Sequence, residues 1–330
     1  MRTSVRRILQ MREITILGVI IVLCIVLSLT TKNFLSISNI SNTLLGLSGI
    51  AIVSIGMTMV IVTGGIDVSV GSALGIASVV AGKLLLMHAS GPVIVAGALL
   101  TGLAVGLLNG VIIAYGNIPP IIVTLGTMNV IRALLFGVLG GRWVSGVPKT
   151  ITSIGLGRFL ELPIPIWITI VLIAIFTYML GTRPLGRAVY AMGNNMDAAR
   201  VSGVNINTVN LFVYALTGVL AGLSGLIYVA RTGIVQTNTG MGLELEVIAA
   251  VVLGGTSIMG GKGTLIGSFL GAALLGIIQN GMVLLNIPAL TEGLVTGLLI
   301  IVSVLIDIMR ARGYRGSAAR TMGTLGEGKQ

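Results

Sequence analysis

The sequence predicts an all-α integral membrane protein with about ten transmembrane helices. Of its 330 residues, 55% are hydrophobic and only 9% are charged, and the mean hydropathy is +1.08. Apolar runs of about 20 residues, the length that crosses a bilayer, recur along the whole chain. These runs lack the short alternation of β-barrel strands, and backbone groups in lipid must pair internally, so the spans are predicted to be helices.

Ten apolar runs define the predicted spans, which together form a transmembrane domain over residues 14–309. The spans are 14–30, 44–63, 68–87, 92–115, 119–139, 163–181, 208–230, 244–259, 264–285 and 289–309.

Basic residues set the expected orientation. Four arginines precede the first span and four follow the last; because Lys and Arg favour the cytoplasmic side, both termini are expected to be cytoplasmic. Residues 1–13 are then a basic cytoplasmic segment, and residues 310–330, polar and without apolar periodicity, a disordered cytoplasmic tail. An even number of spans agrees with this topology.

Two long loops separate the spans of the middle of the chain. Loop 182–207 carries Arg183, Arg187 and Arg200, and is predicted to be cytoplasmic. Counting the predicted spans from a cytoplasmic N-terminus places 140–162 outside, although that segment is also basic. This conflict makes 140–162 the expected place of a missed or re-entrant segment.

Glycines account for 48 residues, and several are spaced four apart within spans. Such spacing lets helix backbones approach closely in lipid, which predicts helix-packing faces. The spaced sets are Gly71 and Gly75; Gly102, Gly106 and Gly110; Gly218 and Gly222; and Gly263, Gly267 and Gly271.

A short internal sequence similarity links 64–69 to 254–259. Each segment begins with Gly-Gly, continues with polar residues and lies between two apolar runs. This pattern suits broken helices at a membrane site in a repeat-built transporter, although chance similarity in a glycine-rich chain explains it nearly as well.

The sequence gives no catalytic constellation. Cys24 and His88 are the only residues of their kinds, so neither a metal cluster nor a His-assisted nucleophile is expected. The segment 260–264 is not a phosphate loop, because Gly263 rather than Ser or Thr follows Lys262. The net charge of +11 is read as membrane orientation rather than nucleic-acid binding. We expect no bound cofactor and no metal.

Polar residues within or between spans are the candidates for a translocation path. Polar groups are costly in lipid, so they are expected to face the bundle interior, where helix-to-helix hydrogen bonds explain them about as well as solute contact. Asp67 is expected to fix a helix break, with solute contact as the alternative. Arg132 is expected to pair with a backbone carbonyl or lie near a span end. The candidates are Asp67, Ser69, Asn109, Thr124, Asn129, Thr256, Ser257 and Asn280.

Loop 182–207 carries a different signal. Asp197 to Arg200 are helix formers, and Gly193 and Gly203 bracket them as stop points. We expect a short surface helix with Asn194, Asn195 and Asp197 exposed, able to dock in a groove of a partner.

Four separated motifs, in the same order, resemble the permease subunits of bacterial ATP-binding-cassette importers for ribose, xylose, rhamnose and autoinducer-2. The motifs are Gly64-Gly65-Ile66-Asp67-Val68-Ser69-Val70-Gly71-Ser72; Ile118-Pro119 with Val123-Thr124-Leu125-Gly126-Thr127; Gly186-Arg187 through Gly203-Val204; and Ile248 through Ser257 with Gly260-Gly261-Lys262-Gly263. The resemblance covers residues 34–309, and segment 140–148 looks closest to the autoinducer-2 permeases.

The resemblance implies a ten-span permease of the bacterial inner membrane that pairs with a second, identical or homologous, permease chain. It also implies two ATPase subunits, which use ATP and Mg, and a solute-binding protein. The coupling segment of the family maps onto 186–204, with Gly186, Arg187, Gly193, Asn194, Asp197, Arg200 and Gly203 as its residues. The solute is expected to be a small neutral sugar or sugar-like signal.

One alternative is a stand-alone ion-coupled transporter or facilitator for a small polar solute. Such carriers usually place acidic groups within their spans, whereas the acids of this chain, such as Asp67, Glu244 and Glu246, lie at predicted span ends. A membrane-embedded enzyme is disfavoured because neither a nucleophile–base pair nor a set of metal ligands is present.

Overall fold

The computed structural model describes residues 12–146, 151–305 and 309. The helices are α1 (Arg12–Thr30), α2 (Ile37–Val62), α3 (Val70–Leu86), α4 (Gly91–Gly116), α5 (Pro120–Leu139), α6 (Thr152–Leu156), α7 (Ile164–Thr182), α8 (Pro184–Asn194), α9 (Met196–Val201), α10 (Ile206–Thr232), α11 (Leu243–Leu253), α12 (Leu265–Leu284) and α13 (Glu292–Leu305), the last preceded by a 3-10 turn, Ala289–Thr291.

Seven of the described helices are long and apolar enough to cross a membrane: α1, α2, α4, α5, α7, α10 and α12. The helices α3 and α13 are apolar but shorter. The chain is therefore a multi-pass, helical membrane protein, whereas ten complete crossings stay a prediction. The predicted terminal segments fall almost wholly on residues 1–11 and 310–330, outside the described residues, and α1 already begins at Arg12.

The eighth predicted span, 244–259, is wrong as a continuous helix. The helix α11 has 11 residues, about 16 Å of rise, roughly half of the hydrocarbon core. It ends because Gly254 caps it and Gly255 adopts φ +89°, a conformation in which glycine has no steric penalty. The following segment, 254–264, is non-helical until α12 begins.

Helix α10 is the centre of the bundle and packs against α4, α3 and α2. Its tightest neighbour is α4, where small residues face one another: a Cβ on Gly102 would lie 2.9 Å from the Cα of Gly222, and one on Gly106 would lie 3.0 Å from the Cα of Ala215. The glycine sets on α4 and α10 are therefore packing faces, as predicted. Helix α12 packs against α2, α11 and α1.

The connection 233–242, which lies between two predicted spans, follows α3 from its last turn to its first. Near the end of α3, a Cβ on Gly82 would lie 3.3 Å from Val235. In the middle, a Cβ on Gly75 would lie 2.8 Å from the carbonyl of Thr239, and Gly71 touches Gly240 near the start of α3. Non-helical backbone is tolerated at membrane depth where protein surrounds it. The glycines of α3 make that room, and α11 consequently begins beside the first turn of α3.

Segment 140–163 adds one small hairpin to a fold that is otherwise helical in the described residues, in agreement with the all-α prediction. It contains α6 and two short antiparallel strands, β1 (Arg158–Phe159) and β2 (Leu162–Pro163). Trp167 at the start of α7 donates its indole N–H to the carbonyl of Phe159 at 2.8 Å, which fixes the hairpin against that helix. Helix α6 packs on α10, where Gly155 contacts Ala230. A re-entrant segment here stays a prediction, because 147–150 are outside the described residues.

Candidate functional site

Three segments far apart in the sequence meet at the C-terminal end of α2. The carbonyl of Val62 accepts a hydrogen bond from the backbone N–H of Gly261 at 2.8 Å. Gly193, near the end of α8, packs so closely on the same carbonyl that any Cβ would collide with it, and that Cβ would lie 2.6 Å from the nitrogen of Gly261. We call this contact of α2, α8 and segment 254–264 the junction. It brings together three of the four motifs of the sequence resemblance.

A side chain secures the same contact. Tyr190 of α8 donates its hydroxyl to the carbonyl of Gly263 at 2.8 Å. Burial raises the pKa of the Tyr190 phenol, so the hydroxyl keeps the proton that it donates. One turn later, the side chain of Asn194 donates to the carbonyl of Tyr190 at 2.8 Å, and its Oδ1 atom would lie 2.6 Å from a Cβ on Gly261.

The two helix ends that enter the junction have similar turns. After α2, Gly64 has φ +86°, and its N–H and that of Gly65 return to the carbonyls of Ile61 and Val60 at 2.9 Å each. After α11, Gly255 has φ +89°, and its N–H bonds the carbonyl of Val252 at 2.9 Å, followed by Thr256 to Val251 at 3.2 Å. Gly64 thus corresponds in structure to Gly255, whereas the sequence comparison of 64–69 with 254–259 aligned it with Gly254. The local turns agree, while the larger repeat stays a prediction.

A buried polar cluster lies just beyond the α2 turn. Asp67 is 2% exposed, and its Oδ1 accepts the backbone N–H of Ser69 at 2.9 Å and the Ser69 hydroxyl at 2.6 Å. Asn109 of α4 donates to that hydroxyl oxygen at 2.8 Å, and Thr124 of α5 donates to the carbonyl of Ile66 at 3.2 Å. Four predicted path residues therefore lie together around the start of α3.

Several hydrogen-bonding atoms near this cluster have no partner among the described residues. They include the Oδ1 of Asn109 and the hydroxyl of Tyr214; the hydroxyl of Thr256, in the α11–α12 connection, also has no partner in the described part of the chain. Tyr214 is fully buried in α10, and a Cβ on Gly65 would meet its hydroxyl. Tyr190 and Tyr214 were not singled out from the sequence, because an isolated tyrosine carries no pattern that separates a site from the core.

The other predicted path residues lie elsewhere. Asn280 of α12 and Asn39 of α2 exchange amide hydrogen bonds at 2.7 and 2.9 Å, so Asn280 joins two helices. Ser257 is almost fully buried in segment 254–264, where its N–H bonds the carbonyl of Lys262 at 2.9 Å.

The expectation for Asn129 is wrong within this chain. Asn129 is exposed on α5, on the side opposite to the buried Thr124, Thr127 and Ile131. It reaches that position because its amide donates to the carbonyl of Leu125 in its own helix at 2.9 Å, which lowers the cost of leaving the bundle interior.

Arg132 pairs with a backbone carbonyl, as expected. Its Nη1 donates to the carbonyl of Thr239 at 2.7 Å, within the connection that lies along α3. Glu244, in the first turn of α11, accepts the N–H of Gly242 at 3.2 Å, and its other oxygen packs against Gly71. The arginine therefore ties α5 to the connection 233–242, which leads into α11.

The predicted coupling loop contains two helices instead of one. The short helix α9 confirms the predicted helix around Asp197 and Arg200, both of which are exposed. Asn195 caps it by accepting the N–H of Ala198 at 2.9 Å, and Gly203, with φ +87°, follows its end. Gly193 is not a stop point, because it lies inside α8.

Helix α8 was missed by the sequence analysis. Pro184 at its first position and the apolar residues Leu185, Val189 and Met192 at helical spacing are signals that could have found it. Gly186 is buried against the backbone of Leu180 in α7. Arg187 is exposed, and its guanidinium bonds the carbonyl of Thr182 at 3.0 Å.

Residues 39–304 match the family described as the branched-chain amino acid transport system permease component. The chain belongs to this permease family. No solved structure is significantly similar to it.

Although the family description refers to branched-chain amino acids, individual relatives are import permeases for ribose and autoinducer 2. The chain is 40% identical over 292 residues to the ribose import permease protein RbsC of Escherichia coli K12, covering 87% of this chain and 91% of the relative. It is 38% identical to the same protein of Haemophilus influenzae, covering 87% and 90%, and 35% identical over 296 residues to the autoinducer 2 import system permease protein LsrC of Escherichia coli K12/DH10B, covering 90% and 86%. The chain therefore matches permease subunits of ATP-binding-cassette sugar importers, and its identity to the ribose permease exceeds that to the autoinducer-2 permease.

Proposed function

We propose that this chain is the pore-forming permease subunit of an ATP-driven importer in the bacterial inner membrane, and that it carries ribose or a similar small neutral sugar. The junction is the observation that carries the proposal. Because α8 contacts both α2 and segment 254–264, a force applied to α8 and α9 reaches two helix ends inside the bundle. A pore that a separate motor opens needs such a connection.

The ATPase partners would dock on α8 and α9, where Asp197 and Arg200 are exposed. The chain would bind no cofactor of its own, and ATP and Mg would be used by the two ATPase subunits. With this surface cytoplasmic, both termini are cytoplasmic in the expected topology, and a solute-binding protein would deliver the sugar from the opposite side.

The sugar is inferred from the relatives and from the chemistry of the cluster around Asp67. Identity to the ribose permease is 40%, and the hydroxyl and amide groups of Ser69, Asn109 and Tyr214 can exchange hydrogen bonds with sugar hydroxyls. An affinity for solute within a pore slows its release, so a weak site suits an importer fed by a binding protein. Autoinducer-2, rhamnose and other pentoses are the competing solutes.

A second permease chain would pack on the outer face of α5. Asn129 and Gly126 are both exposed in the middle of this helix, and a Cβ on Gly126 would contact nothing within 4 Å. A polar amide and a small residue on one exposed face are typical of helix–helix contacts in lipid. The path of the sugar would then lie between the two chains.

Reconstitution tests this function. The chain is placed in proteoliposomes with its ATPase and solute-binding protein, and transport of labelled ribose is measured with ATP, without ATP, and with a hydrolysis-deficient ATPase. We expect transport only with ATP and the active ATPase. Sustained transport by this chain alone would instead support the stand-alone carrier.

A further inference from the structure

A separate cavity of about 270 Å³ lies beside α8 and α9, which we call the coupling helices. Four parts of the chain enclose it: the turn after α2, the α4–α5 turn, α8 with α9, and the first turns of α10. Its lining includes Gly64, Met192, Arg200 and Asn210. Each wall therefore belongs either to the coupling helices or to an element that begins or ends beside them.

Asn210 is the polar group that points to a ligand. This residue of α10 is 8% exposed and lines the cavity, and no hydrogen bond satisfies its side-chain amide within the described part of the chain. Asn210 is not among the described side chains whose polar atoms are fully enclosed without a partner, so its amide faces the open space of the cavity, where water or a ligand completes its hydrogen bonds. The amide of Asn210 is thus free to donate to, and accept from, a molecule in the cavity.

The remaining lining selects a class of ligand. Asn207 and Asn117 add two further amides, and Arg200 is the only charged residue among the described residues of the lining. Amides both donate and accept, which suits hydroxyl groups, and no carboxylate among the lining residues would hold a cation. Apolar residues such as Met192 and Ile113 complete the wall. A volume slightly below the ~300–1,000 Å³ of drug-sized sites fits a small ligand.

We infer that this cavity binds a small neutral polyhydroxylated molecule of monosaccharide size, and that its occupancy restrains the coupling helices. The inference rests on the proposed function, since the molecule available on that side is the imported sugar. A bound sugar would bridge α9 and the turn after α2, whose relative movement the junction transmits. Accumulated sugar would therefore slow its own import.

The first test is direct binding. Labelled D-ribose is titrated onto the detergent-purified complex of the chain with its ATPase, without the solute-binding protein. We expect saturable binding that weakens about five- to tenfold in Asn210→Leu, as for one lost neutral hydrogen bond. Asn33→Leu is the matched control and should bind as the parent does, because this exposed asparagine precedes α2, and the cavity borders the opposite end of that helix. Asn210→Ala is the second variant if the leucine variant unfolds.

The second test measures transport. Binding protein and labelled ribose are sealed inside proteoliposomes, and unlabelled ribose is added on the ATPase side with ATP. With unlabelled ribose held near the dissociation constant of the parent, the initial rate should fall about twofold in the parent and in Asn33→Leu, and by only about 10–20% in Asn210→Leu or Asn210→Ala, whose binding is weaker.

The outcomes separate this inference from the proposed function. Equal ribose binding, or equal inhibition, in the parent and the Asn210 variants would overturn the inference even if ATP-driven transport is normal. Asn210-dependent binding in a complex that does not transport ribose would support the cavity and contradict the proposed function.

Discussion

At the scale of single residues, Gly193 gives the most specific prediction. Its Cα lies against the carbonyl of Val62, so the added methyl of Gly193→Ala would separate α8 from the end of α2. Overpacking of this kind costs about 1–3 kcal/mol. We expect a lower thermal unfolding midpoint of the purified chain, and ATP-driven transport reduced by about tenfold, the change that ~1.4 kcal/mol produces.

Gly181→Ala is the control for that substitution. Gly181 lies near the end of α7, where a Cβ would contact nothing within 4 Å, and alanine is favoured over glycine inside helices by ~1 kcal/mol. The control should be neutral or slightly stabilising. Equal effects of Gly193→Ala and Gly181→Ala would show that the junction is not the tight contact described above.

Asp67 gives a second residue-scale prediction. Its Oδ1 accepts the N–H and the hydroxyl of Ser69, and an asparagine oxygen can accept the same bonds. Asp67→Asn should therefore retain most stability and transport, whereas Asp67→Leu should lose about 1 kcal/mol or more through the unpaired N–H. Thermal unfolding and transport are measured for both. Equal loss of transport in two well-folded variants would mean that the negative charge itself is required.

The sequence shows which polar residues lie within the membrane spans, but it does not fully determine which way each of their side chains faces. Ser69, Asn109 and Thr124 do lie together with Asp67, because the spacing of apolar residues leaves them on inner faces. Asn129 could not be placed in the same way, since α5 is apolar on both its inner and outer sides. Only the packing of the neighbouring helices decides which side is covered.

At the scale of elements, long apolar helices were predictable and the irregular connections between them were not. Spans such as α4 and α10 differ from their predicted bounds by only a few residues. The connection 233–242 has no apolar run from which its place could be predicted, yet the glycines of α3 let it lie along that helix. Helix α8 was missed because its apolar side is short and lies within a polar loop.

The coupling helices yield an element-scale prediction. Asp197 and Arg200 are exposed on α9, so Asp197→Lys or Arg200→Glu should leave the fold intact while placing like charges against the ATPase. Charge mismatch across an interface costs several kcal/mol at its centre and much less at its rim. We expect uncoupled transport with normal membrane insertion, measured as ATP hydrolysis and ribose uptake in the same preparation. Arg158→Glu, on the exposed hairpin, is the control and should behave as the parent does. Unchanged transport in both α9 variants would contradict the docking of the ATPase on α9.

At the scale of the whole molecule, the exposed face of α5 predicts how two permease chains pair. The single cysteine, Cys24, permits a clean test in which Cys24→Ser is combined with Asn129→Cys. A short thiol cross-linker should give covalent dimers in membranes, because a symmetric contact brings the two copies of one position together. Leu29→Cys, on the exposed side of α1, should give few. Dimers of equal yield from both positions would argue against pairing through α5.

The central claim is that α8 and α9 receive the ATPase and that the junction transmits its motion. Photo-cross-linking tests it most directly: p-benzoylphenylalanine replaces Asp197 in the assembled transporter, and the adduct is identified by mass spectrometry. The same group in place of Glu161, on the exposed turn of the hairpin, is the comparison. We predict an ATPase adduct from position 197 and none from position 161. An ATPase adduct from position 161 with none from position 197 would contradict the account.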